Sequence, residues 1–137
     1  MSDCIFCKIV KGEIPCYKIA ETENVLAFLD VMPISRGHLL VIPKKHVELI
    51  YDADPEIMAE VMSTAVKISA TAKKVLKCDG MNLLLNTEKC AGQIVPHVHL
   101  HLIPRYSNDS INWPWPQGSL DENSAAQLVE NLKRIMD

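Results

Sequence analysis

Residues 96–105 read Pro-His-Val-His-Leu-His-Leu-Ile-Pro-Arg and form the most strongly patterned segment of the chain. Three histidines, His97, His99 and His101, alternate there with apolar residues. A period of two is typical of a β-strand, so the pattern predicts imidazoles on one face and a core on the other. Imidazole titrates near neutral pH, attacks electrophiles and ligates metals. We therefore predict that the chemistry of the protein is concentrated on this strand.

The size and composition of the chain predict one globular domain. It has 137 residues, of which 48% are hydrophobic and 23% charged, as is ordinary for a soluble protein with one core. The net charge of -3 gives no reason to expect a nucleic-acid partner, and no apolar run approaches the ~20 residues that span a membrane. The N-terminus lacks the features of a secretory signal. Five cysteines are an odd number, which favours a reducing location over a disulfide framework. We expect the cytoplasm, with the nucleus as a further location.

Helix and strand signals favour an α+β fold with an antiparallel sheet. Asp54-Pro55-Glu56 is a helix start, and helical apolar spacing continues to Asp79-Gly80, which predicts one long helix. The alternative, a parallel α/β sheet, would need more crossover helices than the sequence offers before residue 106. The other predicted elements are a short helix ending near Gly12, strands at 17–20, 24–29, 37–42 and 81–86, and a C-terminal helix with a capping box at 119–122.

The spacing of the three histidines predicts divided roles. On one strand face, the backbones of His97 and His101 would lie about 13 Å apart, too far for all three rings to share a compact metal site. A histidine nucleophile can accept a phosphoryl or nucleotidyl group, and His99, with an imidazole on either side, is the natural candidate. Just upstream, Gly92 lets backbone amides approach an anion, and Gln93 adds a side-chain amide.

Cys4 and Cys7 form a C-x-x-C motif near the N-terminus. This spacing lets two thiolates share one tetrahedral zinc ion, and the remaining candidate ligands are histidines. A redox dithiol is the alternative, although nothing around the motif resembles a thioredoxin-like βαβ unit.

The chain resembles the histidine triad (HIT) family, and most of all the short bacterial-type, zinc-containing members of its Hint-like nucleotide-binding branch. The run from Gly92-Gln93 to His97-Val98-His99-Leu100-His101-Leu102-Ile103 matches the family's triad pattern. The match extends in order over roughly residues 4 to 106. Its other segments are residues 4–9, 12–15, 28–31 and 37–46.

The resemblance implies a fold, an activity and an assembly. The fold would be a five-stranded antiparallel sheet with one long helix and short helices, paired as a homodimer. A HIT domain would occupy residues 1–110, and residues 111–137 would form an extension, with a Trp-Pro segment and a terminal helix, packed on that domain. The implied activity is hydrolysis of purine nucleoside phosphoramidates, or of adenylylated substrates, at the α-phosphate through a nucleotidyl-histidine intermediate, with an AMP-like product.

The resemblance also assigns residues. His99 would be the nucleophile, flanked by His97 and His101 and completed by His38. Asp30 would hold the ribose hydroxyls. A structural zinc ion would be held by Cys4, Cys7, His46 and His97, and catalysis would need no metal. The base would be walled by Ile5, Phe6, Ile9, Phe28, Leu29 and Val31, and the sugar and phosphate would be contacted by Asn86, Gly92, Gln93, Ile94 and His101.

Departures from the family pattern leave alternatives open. Ile94 stands where Hint-like members usually have serine, which bears on the leaving group, and Pro96 replaces an aromatic residue. Ile103-Pro104-Arg105 resembles the fragile histidine triad branch, so a dinucleoside polyphosphate hydrolase is one rival. A non-catalytic nucleotide-binding scaffold is a second, and a purely structural zinc module is a third.

Overall fold

A five-stranded antiparallel sheet with strand order β1-β2-β3-β5-β4 organises the chain. The structure is a computed structural model that describes residues 3–112 and 115–136. It confirms the predicted α+β architecture with one long helix, and none of its described helices is long and apolar enough to span a membrane. The elements are α1 (Ile5–Val10), β1 (Lys18–Glu21), β2 (Val25–Leu29), β3 (Leu39–Pro43), α2 (Pro55–Leu76), β4 (Gly80–Leu84), β5 (Leu100–Arg105) and α3 (Glu122–Met136), with 3₁₀ turns at Ile50–Asp52 and Lys89–Ala91.

The long helix α2 covers one face of the sheet. It begins as predicted, because the Asp54 side chain accepts a hydrogen bond from the Glu56 N–H at 2.9 Å and a proline occupies the first turn. It ends at Leu76, before the predicted Asp79-Gly80, because Lys77 adopts a left-handed conformation with φ 54°. Its buried side packs on a core of Val25, Ala27, Leu39, Val41, Leu100 and Leu102.

The opposite face of the sheet carries a second core and the short helix α1. Alternate residues of β2 and β3 point to this side, and α1 contributes Phe6. Because both faces are buried, these two strands read as continuous apolar runs. The second core consists of Cys4, Phe6, Leu26, Phe28, Leu40 and Ile42.

Strand β5 starts at Leu100, three residues later than the histidine pattern predicts. Its pairing with β3 reaches only as far as the Val41–Leu100 pair. The N–H of Val98 instead donates to the carbonyl of Val47, at 2.8 Å, in the loop after β3. His97 therefore lies outside the hydrogen-bonded ladder, and its side chain points in a different direction from those of His99 and His101.

The C-terminal extension differs from the domain in its burial. Helix α3 begins next to the predicted capping box, but the Asp121 carboxylate, rather than the predicted Ser119, accepts a hydrogen bond from the Asn123 N–H at 3.1 Å. No residue of α3, and none of the described residues in 107–121, is buried. The packing of 111–137 on the domain stays a prediction, and the part of it that falls on residues 113–114 lies outside the described residues.

Candidate active site

A cavity of about 470 Å³ opens on the face of the sheet that carries α1. His99 and His101 lie on its floor. A larger groove of about 620 Å³ runs beside the start of α2, and its lining includes His46 but not the other histidines. The histidine cavity brings together the predicted catalytic residue His38 and nearly all of the residues predicted to bind a nucleotide: Ile5, Phe6, Ile9, Phe28, Leu29, Asp30, Val31, Asn86, Gly92, Ile94, His99 and His101.

His99 is held with a free ring nitrogen. Its Nδ1 lies 2.7 Å from the carbonyl oxygen of His97. A carbonyl can only accept a hydrogen bond, so Nδ1 carries the proton and Nε2 keeps a lone pair. Burial lowers the pKa of His99, which keeps the ring neutral at neutral pH. A neutral imidazole with an unprotonated Nε2 is the form that can attack an electrophile.

His38 and His101 form a chain whose hydrogen positions follow from one backbone amide. The N–H of Ile34 donates to His38 Nδ1 at 3.0 Å, so the proton of a neutral His38 sits on Nε2. That Nε2 is 2.9 Å from His101 Nδ1, which therefore accepts. His101 is left with an Nε2–H donor. Burial, followed by the neighbouring charges of His99 and His38, lowers the pKa of His101 to about 4.

The buried neutral histidines predict acid sensitivity of the fold. At pH values between the ordinary histidine pKa and the lowered pKa of His101, this side chain is protonated in the unfolded chain but not in the folded protein. Stability is therefore fully present above about pH 6.5 and falls as the pH drops toward 4, by at most about 3 kcal/mol from His101. Burial also lowers the pKa of His38, so its contribution has the same sign.

Denaturant unfolding at a series of pH values between about 4 and 7 measures this dependence. We expect a His101→Gln variant to show a flatter dependence of the unfolding free energy on pH than the wild type. Parallel curves for the two proteins would show that His101 is not the group responsible.

Asp30 is the only charged side chain in the lining of the cavity, as far as the described residues show. Its Oδ1 accepts from the Met32 N–H at 2.8 Å, so the carboxylate caps a turn. Its Oδ2 lies 3.6 Å from His38 Nε2 at the edge of the cavity. One oxygen therefore fixes the loop, while the other can accept hydrogen bonds from a ligand.

Gln93 does not line the cavity, in contrast to its predicted contact with the phosphate. Its Oε1 accepts from the Glu88 N–H at 2.7 Å, and its Nε2 donates to the carbonyls of Glu48 and Val95 at 2.8 and 3.1 Å. The buried amide is fully occupied in bracing the loop 88–95, which leaves no group for a ligand. Among the described residues, the N–H of the adjacent Ile94 has no protein acceptor, and Ile94 lines the cavity.

Cys4, Cys7, His46 and His97 converge on one point behind the cavity. The Sγ–Nδ1 distances are 3.4 Å for Cys4–His97, 3.3 Å for Cys7–His46 and 3.6 Å for Cys7–His97, and the two Nδ1 atoms are 3.2 Å apart. Tetrahedral zinc bonds imply about 3.6 Å between sulfur and nitrogen and about 3.3 Å between nitrogens. The donor set and its spacing therefore fit a zinc ion.

The orientation of the His97 ring also fits a zinc ligand. Its Nε2 lies 2.8 Å from the carbonyl oxygen of Pro43, which fixes the proton on Nε2 and turns the Nδ1 lone pair toward the thiols. Burial lowers the pKa of His97, and burial together with the Cys4 thiol raises the pKa of the Cys7 thiol. A cation at the centre would favour the ligand forms of both groups. The His97 ring thus faces the cluster, and only its carbonyl serves the cavity.

Some of the residues that line the cavity have no motif in the sequence. Ile103 could have been predicted from the sequence, because it follows His101 at the same-face spacing of a strand. Leu84 could not, because only the register of β4 on β5 places it beside His101. The full set that sequence reasoning missed is Pro15, Cys16, Met32, Ile34, Leu40, Leu84, Val95 and Ile103.

The chain is an α+β protein with a histidine-lined cavity on one face of the sheet and a Cys2His2 donor set whose spacing fits zinc. The family model described as HIT domain matches residues 11–108, and the chain belongs to the histidine triad (HIT) family. Adenosine 5′-monophosphoramidase hnt1 of Schizosaccharomyces pombe is 43% identical over 130 residues, which cover 94% of this chain and 95% of that protein. Adenylylsulfatase HINT3 of Arabidopsis thaliana is 39% identical over 139 residues, 97% of this chain and 69% of that protein.

Solved structures agree with this assignment. The protein SMU.412c from Streptococcus mutans superposes with a TM-score of 0.94 and 40% identity over 100% of this chain and 87% of that one. A Zn-bound histidine triad family protein from Mycobacterium smegmatis superposes with a TM-score of 0.77 and 37% identity, covering 98% of this chain and 96% of that one.

Proposed function

We propose that the chain hydrolyses purine nucleoside phosphoramidates, or adenylylated substrates, at the α-phosphate through a nucleotidyl-histidine intermediate. The observation that carries the proposal is the unprotonated Nε2 of His99 in a cavity of nucleotide size. The relatives described above, a monophosphoramidase and an adenylylsulfatase, support the same class of reaction.

The reaction proceeds in two displacements. In the first, the lone pair of His99 Nε2 forms a bond to the α-phosphorus, and the bond from phosphorus to the leaving nitrogen breaks. The leaving amine keeps that electron pair and takes a proton from solvent. In the second, water attacks the same phosphorus, the Nε2–phosphorus bond breaks, and the water releases a proton. One water is consumed, and the products are an amine and AMP.

The phosphate oxygens meet neutral donors. The Nε2–H of His101 and the N–H of Ile94 can both donate to developing negative charge. No lysine or arginine lines the cavity among the described residues, and Asp30 adds a negative charge. Such a site tolerates the single charge of a substituted α-phosphate better than the second charge of free AMP. This difference favours release of the product.

Intact-protein mass spectrometry tests the proposal. Protein quenched during turnover of adenosine 5′-phosphoramidate is expected to carry an adenylyl group, and the His99→Ala variant is not. Nucleotide binding without an adduct and without release of AMP would overturn the enzymatic proposal and favour a nucleotide-binding scaffold.

Asp30 is proposed to hold the ribose hydroxyls with the carboxylate oxygen that does not cap the turn. We expect the wild type to bind AMP about tenfold more tightly than 2′-deoxy-AMP, since hydrogen bonds to charged groups are worth ~1.5–3 kcal/mol. In an Asp30→Ala variant that discrimination should vanish. Calorimetric titration of both nucleotides into both proteins measures it, and equal discrimination by the two proteins would exclude the ribose contact.

The position of Arg105 does not favour the dinucleoside polyphosphate rival. Its guanidinium donates to both carboxylate oxygens of Asp109, at 2.9 and 3.0 Å, and to the Asn82 side chain at 2.8 Å. It does not line the cavity, so it offers no charge to additional phosphates.

The assembly and the metal belong to the same proposal. A Zn²⁺ ion held by the four residues of the cluster would cross-link the N-terminus, the loop after β3 and the approach to β5, and this role is structural because four protein ligands close the coordination shell. The chain is proposed to act as a homodimer.

A further inference from the structure

One residue of the loop between β4 and β5 has a strained backbone. Glu88 has φ 71° and ψ 154°, a combination that is essentially confined to glycine. Glycine adopts positive φ easily because it has no Cβ, whereas glutamate does so at a cost in free energy. Such strain persists only where the surrounding structure imposes it, and it is concentrated at functional sites. The loop 88–95 therefore contains interactions that hold Glu88 in this conformation.

Gln93 supplies these interactions, because it binds both backbone groups of Glu88. The Glu88 N–H donates to the side-chain oxygen of Gln93 at 2.7 Å, and the Glu88 carbonyl accepts from the backbone N–H of Gln93 at 3.1 Å. The side-chain nitrogen of Gln93 donates to the carbonyl of Glu48 at 2.8 Å, which anchors the loop to the segment that follows β3. Gln93 is itself buried. We call the hydrogen-bonded pair of Glu88 and Gln93 the clasp.

The clasp lies directly before an amide of the cavity lining. Ile94 follows Gln93 in the chain and lines the histidine cavity, and its N–H has no protein acceptor among the described residues. In the proposed reaction this N–H donates to an α-phosphate oxygen as negative charge develops there. A donor of this kind is effective because it is fixed in place before the reaction, and a misplacement of about 1 Å can cost on the order of 10²-fold in rate. The conformation of the clasp therefore bears on the rate of the chemical step.

We infer that Gln93 is a positioning residue for the reaction: by holding Glu88 in its strained conformation, it fixes the Ile94 N–H for the α-phosphate. The inference rests on the proposed function and adds to it a residue that does not touch the substrate. Gln93 does not line the histidine cavity, and its side-chain oxygen and nitrogen are both bonded to the protein backbone. A positioning role differs from a direct contact in one testable respect, because it acts through the backbone of Glu88.

Gln93→Ala is expected to lower kcat for adenosine 5′-phosphoramidate about a hundredfold, the effect of a misplaced oxyanion donor. The Kd for adenosine should stay unchanged, because adenosine has no phosphate and reports only on the base wall and Asp30. Gln127→Ala is the matched control, because Gln127 is an exposed glutamine on α3 outside the cavity, and it should keep the wild-type kcat. A wild-type kcat in Gln93→Ala would overturn the inference.

A second substitution at position 88 tests how Gln93 acts. Glycine adopts the observed φ without strain, so Glu88→Gly should raise the kcat of the Gln93→Ala protein about tenfold. Glu88→Ala removes the same carboxylate, with its hydrogen bond from Tyr51, but keeps the strain and should restore nothing. Equal kcat values for the two double variants would overturn the inference, because Gln93 would then act by a route other than the backbone of Glu88.

The strain at Glu88 is also measurable in the chain that keeps Gln93, which covers the case in which Gln93→Ala does not fold. Glu88→Gly should unfold at a Tm about 3 °C or more above that of Glu88→Ala. A Glu88→Gly protein that is no more stable than Glu88→Ala would overturn the inference by removing the strain on which it depends. Absence of turnover by the wild type would instead overturn the proposed function, and the role of Gln93 with it, whatever the Tm values.

Discussion

Replacement of His99 by alanine is expected to reduce turnover of adenosine 5′-phosphoramidate on the order of 10⁴-fold or more, as when the nucleophile of a covalent mechanism is removed. The reason is geometric. Nδ1 is committed to the His97 carbonyl, so Nε2 is the free nucleophilic atom of the ring, and alanine leaves nothing at that position. Steady-state release of AMP measures the loss.

The effect of His99→Ala on nucleotide binding is measured separately from its effect on turnover. The base wall and Asp30 are untouched by the substitution, so AMP should still bind the variant. Free imidazole should restore part of the turnover, because the substitution vacates a space of that shape. A His101→Ala variant is the control, because it loses a donor but keeps the nucleophile and should still form the adduct. An adduct on the His99→Ala protein, or turnover equal to that of the wild type, would contradict the assignment.

Loss of Cys7, which we propose as a zinc ligand, is expected to produce the largest change in stability. We expect the purified protein to contain one zinc ion per chain, and Cys7→Ser to lose it. Loss of a structural metal belongs to the mechanisms that cost about 4 kcal/mol or more. For a domain of this size that corresponds to a fall of roughly 12 °C or more in Tm, measurable by calorimetry.

Cys90→Ser is the matched control, because Cys90 is a free, exposed cysteine outside the cluster and should retain both the metal and the Tm. Equal Tm values for Cys7→Ser and Cys90→Ser would exclude a structural role for the cluster. The ligand atoms lie outside the cavity, so protein that is depleted of zinc but still folded should continue to turn over substrate. Loss of turnover in such folded protein would contradict the prediction that catalysis needs no metal.

Local patterns in the sequence were enough to predict much of the fold. The start of α2 was predictable because Asp54 and Pro55 act on the backbone of the turn that they begin. The α+β architecture and the face that carries His99 and His101 follow from periodicities that the structure retains.

The parts that could not be predicted depend on partners distant in sequence. His97 leaves the ladder because Val98 binds the Val47 carbonyl, and Gln93 leaves the cavity because the Glu48 carbonyl takes its amide. Neither partner has a recognisable motif. The left-handed Lys77 ended α2 early without the glycine that usually signals such an end.

The ring of Phe6 lies between the histidine cavity and the cysteine–histidine cluster. Phe6 lies between the two cysteines of the C-x-x-C motif, and its ring meets His97 at 5.8 Å and His99 at 5.2 Å, edge to face. It is at once a wall of the cavity and a neighbour of the cysteine–histidine cluster. A ligand in the cavity and a metal ion in the cluster would share this neighbour. Any coupling between them must be reciprocal: the factor by which a bound nucleotide changes the affinity for zinc equals the factor by which zinc changes the affinity for the nucleotide.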